Sequence, residues 1–204
     1  EQIKSLLDKP VSISELEKMN GGKIDDLDHK IVVANFILDT VAKRRLDKSS
    51  HTIYLLRDCL MFYEAHKALD YITGEHTSTD QILVGRKLLS ILPEKWEHYG
   101  AMLDSLYTAH LRYPTNFSDF YNEFSRLMNL FVEHNQNFAS LIAKLSVYIE
   151  AHISTDREKI IVFDVGFQGS IALLTKYVID YHIRPTHNGK QIETDIEIAI
   201  GAVW

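Results

Sequence analysis

The chain has 204 residues, of which 46% are hydrophobic and 25% are charged. This composition is typical of a globular protein with one domain, or at most two small ones. The net charge of −6 makes nucleic acid an unlikely partner, because such binding relies on positive charge. The single cysteine, Cys59, excludes an internal disulfide framework, and no apolar run is long enough to span a membrane. We therefore expect a cytoplasmic protein without a membrane partner.

The N-terminal residues, 1–30, are predicted to form a helical extension of two short helices, the second ending at Gly21-Gly22. The next segment, "IVVANFILDTVAKRRL" (31–46), has the apolar spacing of a largely buried helix. Its basic end suits the dipole at a helix C-terminus. An α/β domain is predicted to begin here and to extend over 31–204.

The next elements alternate between strand and helix. "HTIYLL" (51–56) is rich in β-branched and aromatic residues, which predicts a buried strand. "CLMFYEAHKALDYI" (59–72) follows with helical spacing, and "QILVGRKLL" (81–89) is predicted to be a second strand.

Residues 91–152 are predicted to form a helical insertion of three amphipathic helices. A third strand, "KIIVF" (159–163), and a helix, "SIALLTKYVIDYH" (170–182), come next. A turn is predicted at Asn188-Gly189, before a last strand, "DIEIAIGAVW" (195–204). Because this strand reaches Trp204 without a polar tail, we expect a fusion or partner domain beyond Trp204.

The alternation of helices and strands predicts an α/β fold, with a parallel sheet flanked by helices and carrying a helical insertion. In such sheets ligands bind at the carboxyl ends of the strands, near the point where the strand order reverses. Three polar groups follow predicted strands, namely Arg57-Asp58, Arg86-Lys87 and the loop 164–170. We expect them to converge on one edge of the sheet.

The loop 164–170 leads from a strand into a helix. Backbone amides at a helix N-terminus, next to glycines that allow close approach, suit an oxyanion such as phosphate. Asp164 has the chemistry to hold ribose hydroxyls or Mg²⁺ or to accept a proton, and Ser170 to add a hydroxyl. The alternative is a tight connection in which Asp164 bonds the loop amides and Ser170 caps the helix. The candidate ligand-binding residues of this loop are Gly166, Phe167, Gln168, Gly169 and Ser170.

The other two strand ends supply charge. Arg57 offers a cation for a phosphate, and Asp58 a carboxylate that orients it. Arg86 and Lys87 add positive charge suited to a diphosphate. The alternatives are an Arg57-Asp58 pair that fixes its own loop, and a solvated pair at Arg86 and Lys87.

The motifs of several other enzyme classes are absent from the sequence. The ten histidines form no H-E-x-x-H helix, and none pairs with a cysteine at metal-ligand spacing. Ser170 lies outside a G-x-S-x-G elbow, and the chain has no G-x-x-x-x-G-K-[ST] loop. A zinc protease, a serine hydrolase and a P-loop nucleotidase are therefore not favoured.

Four segments resemble, in their order along the chain, a module of bacterial surface-polysaccharide proteins that follows a haloacid-dehalogenase-like domain. Its motifs are an R-D-G strand end, an S-R-[RK] strand end and a D-I-G-W-x-G-S loop. Here Cys59 replaces the glycine, Gly85 the serine and Phe167 the tryptophan. The segments are "IYLLRDCLMFYEAHKAL", "ILVGRKLLS", "IIVFDVGFQGSI" and "IEIAIGAVW".

The same architecture is similar to that of type I phosphoribosyltransferases, in which a hydrophobic strand precedes two acids and a small-residue loop. Asp164 matches the second acid, while Phe163 stands at the first and Ile171 replaces the final threonine. The resemblance implies that amides of 166–170 bind a 5′-phosphate and that Asp164 binds ribose hydroxyls. It also implies that the strand end at 57–58 faces the diphosphate.

The resulting hypothesis is a domain that binds a phosphorylated sugar or nucleotide, with glycosyl or phosphoribosyl transfer as the reaction to expect of an enzyme. Arg57, Asp58 and Asp164 are its candidate catalytic residues, and Mg²⁺ on Asp164 its candidate cofactor. A phosphohydrolase-type accessory module in polysaccharide synthesis is the first alternative. A non-catalytic interaction domain is the second, which Phe163 in place of an acid favours.

Overall fold

The structure, a computed structural model, describes residues 27–56, 59–84, 117–165 and 170–199. The helices are α1 Leu27–Leu46, α2 Leu60–Thr73, α3 Phe117–His134, α4 Gln136–Glu150 and α5 Ser170–Val178, the last continued by a π-helical turn, Ile179–Ile183. The strands are β1 Ser50–Leu55, β2 Thr79–Ile82, β3 Lys159–Asp164, β4 Thr186–His187, β5 Lys190–Gln191 and β6 Glu193–Ile198.

Four of these strands form one parallel sheet in the order β2-β1-β3-β6. Ile53 of β1 lies opposite Val162 of β3, which in turn lies opposite Ile196 of β6. The chain passes from β1 outward to β2 and then returns to β3 on the other side of β1. The order therefore reverses between β1 and β3. The predicted α/β class with a parallel sheet is confirmed.

The two central strands have the apolar composition that a central position requires. All six residues of β1 are buried, as are the four residues 160–163 of β3, because a central strand of a parallel sheet is covered on both faces. The outer strands β2 and β6 carry Thr, Asp, Glu and Gln and are mostly half-buried. Polar residues are tolerated there because an edge strand is less enclosed.

The described residues divide into two compact units. The first holds 27–47 and 61–77, where the rings of Phe36 and Phe62 meet edge to face at 5.9 Å. Its buried apolar side chains come from both α1 and α2.

The second unit holds 48–60 and 78–199, and therefore contains the sheet. Helix α5 contacts β3 and β6, and α4 contacts both α3 and α5. The rings of Phe124 and Tyr177 join α3 to α5 edge to face at 6.4 Å.

Most predicted elements within the described residues are confirmed to within a few positions. The second strand is the exception, since β2 begins at Thr79 and Leu83 and Val84 lie beyond its end. The start of β2 is polar, so no apolar run marks it in the sequence, because an edge strand does not need one. The predicted helices in 1–26 and 91–116 and the end of the last strand, 200–204, lie outside the described residues. The division into an extension and a domain with an insertion stays a prediction.

The predicted turn at Asn188-Gly189 is confirmed as the tip of a hairpin between β4 and β5. Both residues have positive φ, 51° for Asn188 and 76° for Gly189. Two consecutive residues of this kind give the turn whose twist matches that of antiparallel strands, and Asn-Gly is its preferred sequence.

Candidate functional site

The carboxyl edge of the sheet is built by the aligned ends of four parallel strands. The Leu56 amide donates a hydrogen bond to the Ile82 carbonyl at 2.8 Å, which joins the ends of β1 and β2. The Ala199 amide donates to the Asp164 carbonyl at 2.9 Å, which joins the ends of β6 and β3. The loops that follow these strands therefore leave the sheet from one edge.

Asp164 is the last residue of β3 and is half-buried. Its neighbour Phe163 is fully buried, with its ring centroid 5.1 Å from that of Tyr54 in β1. Because successive strand residues point to opposite faces, Asp164 and Phe163 lie on different faces of the sheet. The chain leaves Asp164 through Val165 and enters α5 six positions later, at Ser170.

Of the predicted site residues, the structure describes Asp164 and the backbone of Ser170. Asp164 stands at a strand end and Ser170 at a helix start, as the sequence predicted. The convergence of the remaining candidates with Asp164 stays a prediction, because they lie outside the described residues. These are Arg57, Asp58, Arg86, Lys87, Gly166, Phe167, Gln168 and Gly169.

Cys59 links the chain that follows β1 to the end of β3. Its buried thiol donates a hydrogen bond to the Phe163 carbonyl, with 3.5 Å between sulfur and oxygen. Helix α2 begins at the next residue, Leu60. Leu56 is thus bonded to β2, and Cys59 to β3. Sequence gave no sign of this contact, because the partners are 104 residues apart.

A buried ionic cluster lies in the first unit. The Arg45 Nε donates to Asp70 Oδ1 at 2.8 Å, and the Thr77 hydroxyl donates to Asp70 Oδ2 at 2.7 Å. Burial alone would raise the pKa of Asp70, but these hydrogen bonds outweigh it and the pKa is lowered. His66 Nε2 lies 2.6 Å from the Thr77 hydroxyl oxygen. Burial lowers the pKa of His66 to about 4, so the imidazole is neutral at neutral pH. The basic helix end that the sequence predicted is used here to fix α2 and the following loop.

A second cluster ties α5 to its neighbours. The Lys176 ammonium donates to Asp180 Oδ2 at 2.8 Å and to the Thr194 carbonyl, and lies 4.6 Å from the centre of the Tyr121 ring. The Tyr121 hydroxyl donates to the same Asp180 oxygen at 2.7 Å. Burial, and then the Asp180 charge, raise the pKa of Tyr121, so its hydroxyl stays protonated. We assign this cluster a packing role, since its charges are paired inside the unit.

A serine–histidine pair lies towards the amino ends of the strands. His51 Nε2 lies 2.8 Å from the His152 carbonyl, so it carries the proton, and Nδ1 accepts from the Ser78 hydroxyl at 2.9 Å. Burial lowers the pKa of His51. In a serine–histidine–aspartate triad the third group is a carboxylate, whereas here it is the neutral His152 carbonyl. This carbonyl orients the ring but supplies no negative charge to stabilise an imidazolium. The arrangement therefore fixes loops, and His152 extends it through a 3.0 Å contact with Asp80.

Within the described ranges no three His, Cys, Asp or Glu side chains are grouped closely enough to hold a metal ion. Among the described helices, none has the length and apolar character needed to cross a bilayer.

Comparison with profiles of known protein families, with curated proteins and with solved structures found no match to the chain.

Proposed function

We propose that the protein binds a phosphorylated sugar or nucleotide at the carboxyl edge of its sheet, in the crevice between the loops that follow β1 and β3. The observation that carries this proposal is the strand order β2-β1-β3-β6. It makes β1 and β3 neighbours at the point where the order reverses, which is where open parallel sheets bind ligands. The sequence candidates Arg57-Asp58 and the loop 164–170 follow these two strands.

The contrast between Asp164 and Phe163 supports binding more strongly than catalysis. Asp164 is half-buried at the strand end, where a carboxylate suits the hydroxyls of a sugar. Phe163, at the position of the first acid in phosphoribosyltransferases, is packed against Tyr54 and has no exposed surface. If the bound molecule is turned over, the reaction to expect is transfer at an anomeric carbon with diphosphate leaving. Retained binding without turnover is the second candidate function.

Mg²⁺ fits this proposal as a companion of the ligand. The ion is usually bound by one or two carboxylates together with substrate phosphates, and it keeps several waters. Asp164 would supply a carboxylate and the ligand its phosphate oxygens. In that role the ion would neutralise phosphate charge close to the aspartate.

The first test is a thermal-shift titration of wild-type protein and Asp164→Asn with ribose 5-phosphate, a hexose 1-phosphate and a nucleoside monophosphate, each with and without Mg²⁺. A ligand at one hundred times its Kd raises the melting temperature of a protein of this size by roughly 5 to 10 °C. We expect Asp164→Asn to bind the best of these ligands about tenfold more weakly, because it loses charge-assisted hydrogen bonds to the sugar.

Inorganic phosphate provides an internal comparison. It has no sugar hydroxyls, and a nearby carboxylate repels it, so in the absence of Mg²⁺ Asp164→Asn should bind it at least as well as wild type. Asp195→Asn is the matched control, because Asp195 is a half-buried aspartate of β6 whose partner is Lys159. No shift of the wild type with any of these ligands, or an equal shift in Asp164→Asn, would contradict the proposal.

A further inference from the structure

Strand β2 lies at the end of the four-stranded sheet, and among the described strands it pairs only with β1. The Leu56 amide at the end of β1 donates to the Ile82 carbonyl at 2.8 Å, so the backbone groups of Ile82 face β1. Because successive residues of a strand turn these groups to opposite sides, the amides of Gln81 and Leu83 face away from β1. Outward amides of this kind are where an edge strand can pair with another chain.

Each of these two amides has a side-chain acceptor. The Leu83 amide donates to the Tyr148 hydroxyl oxygen at 2.8 Å, and the Gln81 amide donates to Asp80 Oδ1 at 2.7 Å. Tyr148 lies in the last turn of α4, whereas Asp80 is the residue before Gln81 in β2 itself. The outer edge of β2 is therefore bonded by side-chain oxygens at both amides.

The chain at the end of α4 holds both acceptors. His152, two residues beyond the helix, donates through Nδ1 to the second carboxylate oxygen of Asp80 at 3.0 Å. Its ring meets that of Tyr148 edge to face, with centroids 5.0 Å apart. Its carbonyl accepts a hydrogen bond from the buried His51 of β1 at 2.8 Å. His152 thus orients Tyr148 and Asp80 and is itself tied to the sheet.

We propose that Tyr148, Asp80 and His152 form an edge cap, which keeps the outer edge of β2 from pairing with the β2 strand of a second copy of the chain. The cap acts by occupying the two outward amides that such a pair would need. It involves none of the candidate ligand-binding residues, so the inference stands independently of the proposed function.

A second copy suits this edge because the edge is complementary to itself. In an antiparallel, two-fold pair centred on Gln81, Asp80 lies opposite Ile82, so no like charges meet across the two strands. The outward backbone groups of Thr79 would then bond those of Leu83 in the other copy. Leu83 is 66% exposed, and the pair would cover part of its apolar side chain.

The first test is sedimentation equilibrium of wild type and the double variant Tyr148→Phe/Asp80→Ala. Phenylalanine keeps the ring without the hydroxyl and alanine removes the carboxylate, so both outward amides lose their acceptors. We expect wild type to keep the mass of a monomer, and the mass of the double variant to rise with concentration towards that of a dimer. The matched control is Tyr71→Phe/Asp119→Ala, which makes the same changes at exposed positions of α2 and α3 and should behave as wild type.

Two further variants show whether the association uses β2. Gln81→Pro, added to the double variant, removes an outward amide, which an edge strand tolerates where the nitrogen faces away from its neighbour. We expect this triple variant to return to a monomer. Asp80→Asn alone keeps an acceptor oxygen for the Gln81 amide and should remain monomeric.

Amide hydrogen exchange measures the cap without relying on association. At a concentration where the protein is monomeric, Tyr148→Phe should speed exchange of the Leu83 amide about fivefold, the factor that corresponds to one hydrogen bond. Exchange of the Ile82 amide, which faces β1, should not change. Circular dichroism establishes that each variant is folded, and if the double variant is not, Tyr148→Phe alone is used for both measurements.

Four outcomes would overturn the proposal. The first is an unchanged exchange rate of the Leu83 amide in Tyr148→Phe, and the second is an uncapped variant that stays as monomeric as wild type. The third is a triple variant that still associates, since the contact would then lie elsewhere than β2. The fourth is a wild type that associates as strongly as the uncapped variant, because the cap would then protect nothing.

Discussion

The carboxylate of Asp70 shows how a single residue holds part of this molecule together. Its side chain is 5% exposed and accepts hydrogen bonds from the Arg45 guanidinium, the Thr77 hydroxyl and the Thr77 amide. Arg45 also reaches Glu75 at 3.1 Å, but that carboxylate is 46% exposed. Losing Asp70 would leave a largely buried guanidinium with a screened partner.

We predict that Asp70→Ala lowers the free energy of unfolding by about 3 to 5 kcal/mol, the usual cost of removing one member of a buried ion pair. Asp39→Ala is the matched control, because Asp39 pairs with Lys43 at 2.6 Å on the same helix as Arg45, with both side chains about two-thirds exposed. That change should cost less than about 1 kcal/mol. Urea unfolding measures both. Similar losses in the two variants would show that burial does not decide the strength of the pair.

At the scale of elements, the boundary between α3 and α4 is set by Asn135. Its backbone is extended, with φ −132° and ψ 100°, and its side-chain oxygen accepts a hydrogen bond from the Phe138 amide at 3.0 Å. The bond satisfies one of the free amides at the start of α4. Phe138 itself is buried, so the cap also fixes where a core residue enters the helix.

We predict that Asn135→Ala destabilises the protein by about 1 kcal/mol, because alanine cannot accept this hydrogen bond. Asn135→Asp should be neutral or slightly stabilising, since it keeps the acceptor and places negative charge at the helix N-terminus. Asn137→Ala, at an exposed position two residues further on, is the control and should have little effect. Chemical denaturation followed by circular dichroism would test the series. A loss as large for Asn137→Ala would rule out the cap as the cause.

The elements differ in how far they can be predicted, for physical reasons. β1 and β3 are visible in the sequence because burial on both faces requires continuous apolar runs. The predicted position of β2 is wrong, because an edge strand that begins Thr79-Asp80 carries no such run. The order of the strands in the sheet cannot be predicted from local sequence pattern, since it depends on how the crossover connections pack.

The candidate site divides in the same way. The position of Asp164 at a strand end follows from the apolar run before it, so sequence predicted it. The Cys59 bond to Phe163 and the His51 bond to the His152 carbonyl join residues more than one hundred positions apart. No local spacing encodes such pairs, because they exist only once the sheet has formed.

At the scale of the whole molecule, each of the two units contains a buried neutral histidine. His66 belongs to the first unit and is 1% exposed, and His51 belongs to the second and is 4% exposed. Burial lowers the pKa of both, to about 4 for His66, although a nearby Asp70 opposes part of that shift. Arg45 and Lys67 act in the same direction as burial at His66.

These shifts determine how stability depends on pH. An unfolded histidine takes up a proton below its ordinary pKa of 6.5, whereas folded His66 does so only near pH 4. Protonation therefore favours the unfolded chain. The contribution of His66 to stability is fully present above pH 6.5 and is lost as pH falls towards 4. The loss amounts to about 2 kcal/mol at pH 5. His51 acts in the same direction. Because the pKa of Asp70 is lowered, the stability that this carboxylate contributes is lost only at a pH below the range in which His66 acts.

We predict that wild-type protein loses stability between pH 7 and pH 5, and that His66→Gln, compared at the same pH values, loses about 2 kcal/mol less. Glutamine does not titrate and keeps an amide that can bond Thr77. Asp119→Asn, at an exposed aspartate of α3, serves as the control and should follow wild type. If the two units unfold in one transition, His66→Gln flattens the pH dependence of that whole transition. If they unfold separately, it flattens only the transition of the unit that contains His66. Identical slopes for His66→Gln and wild type in every transition would contradict the assignment of acid sensitivity to this residue.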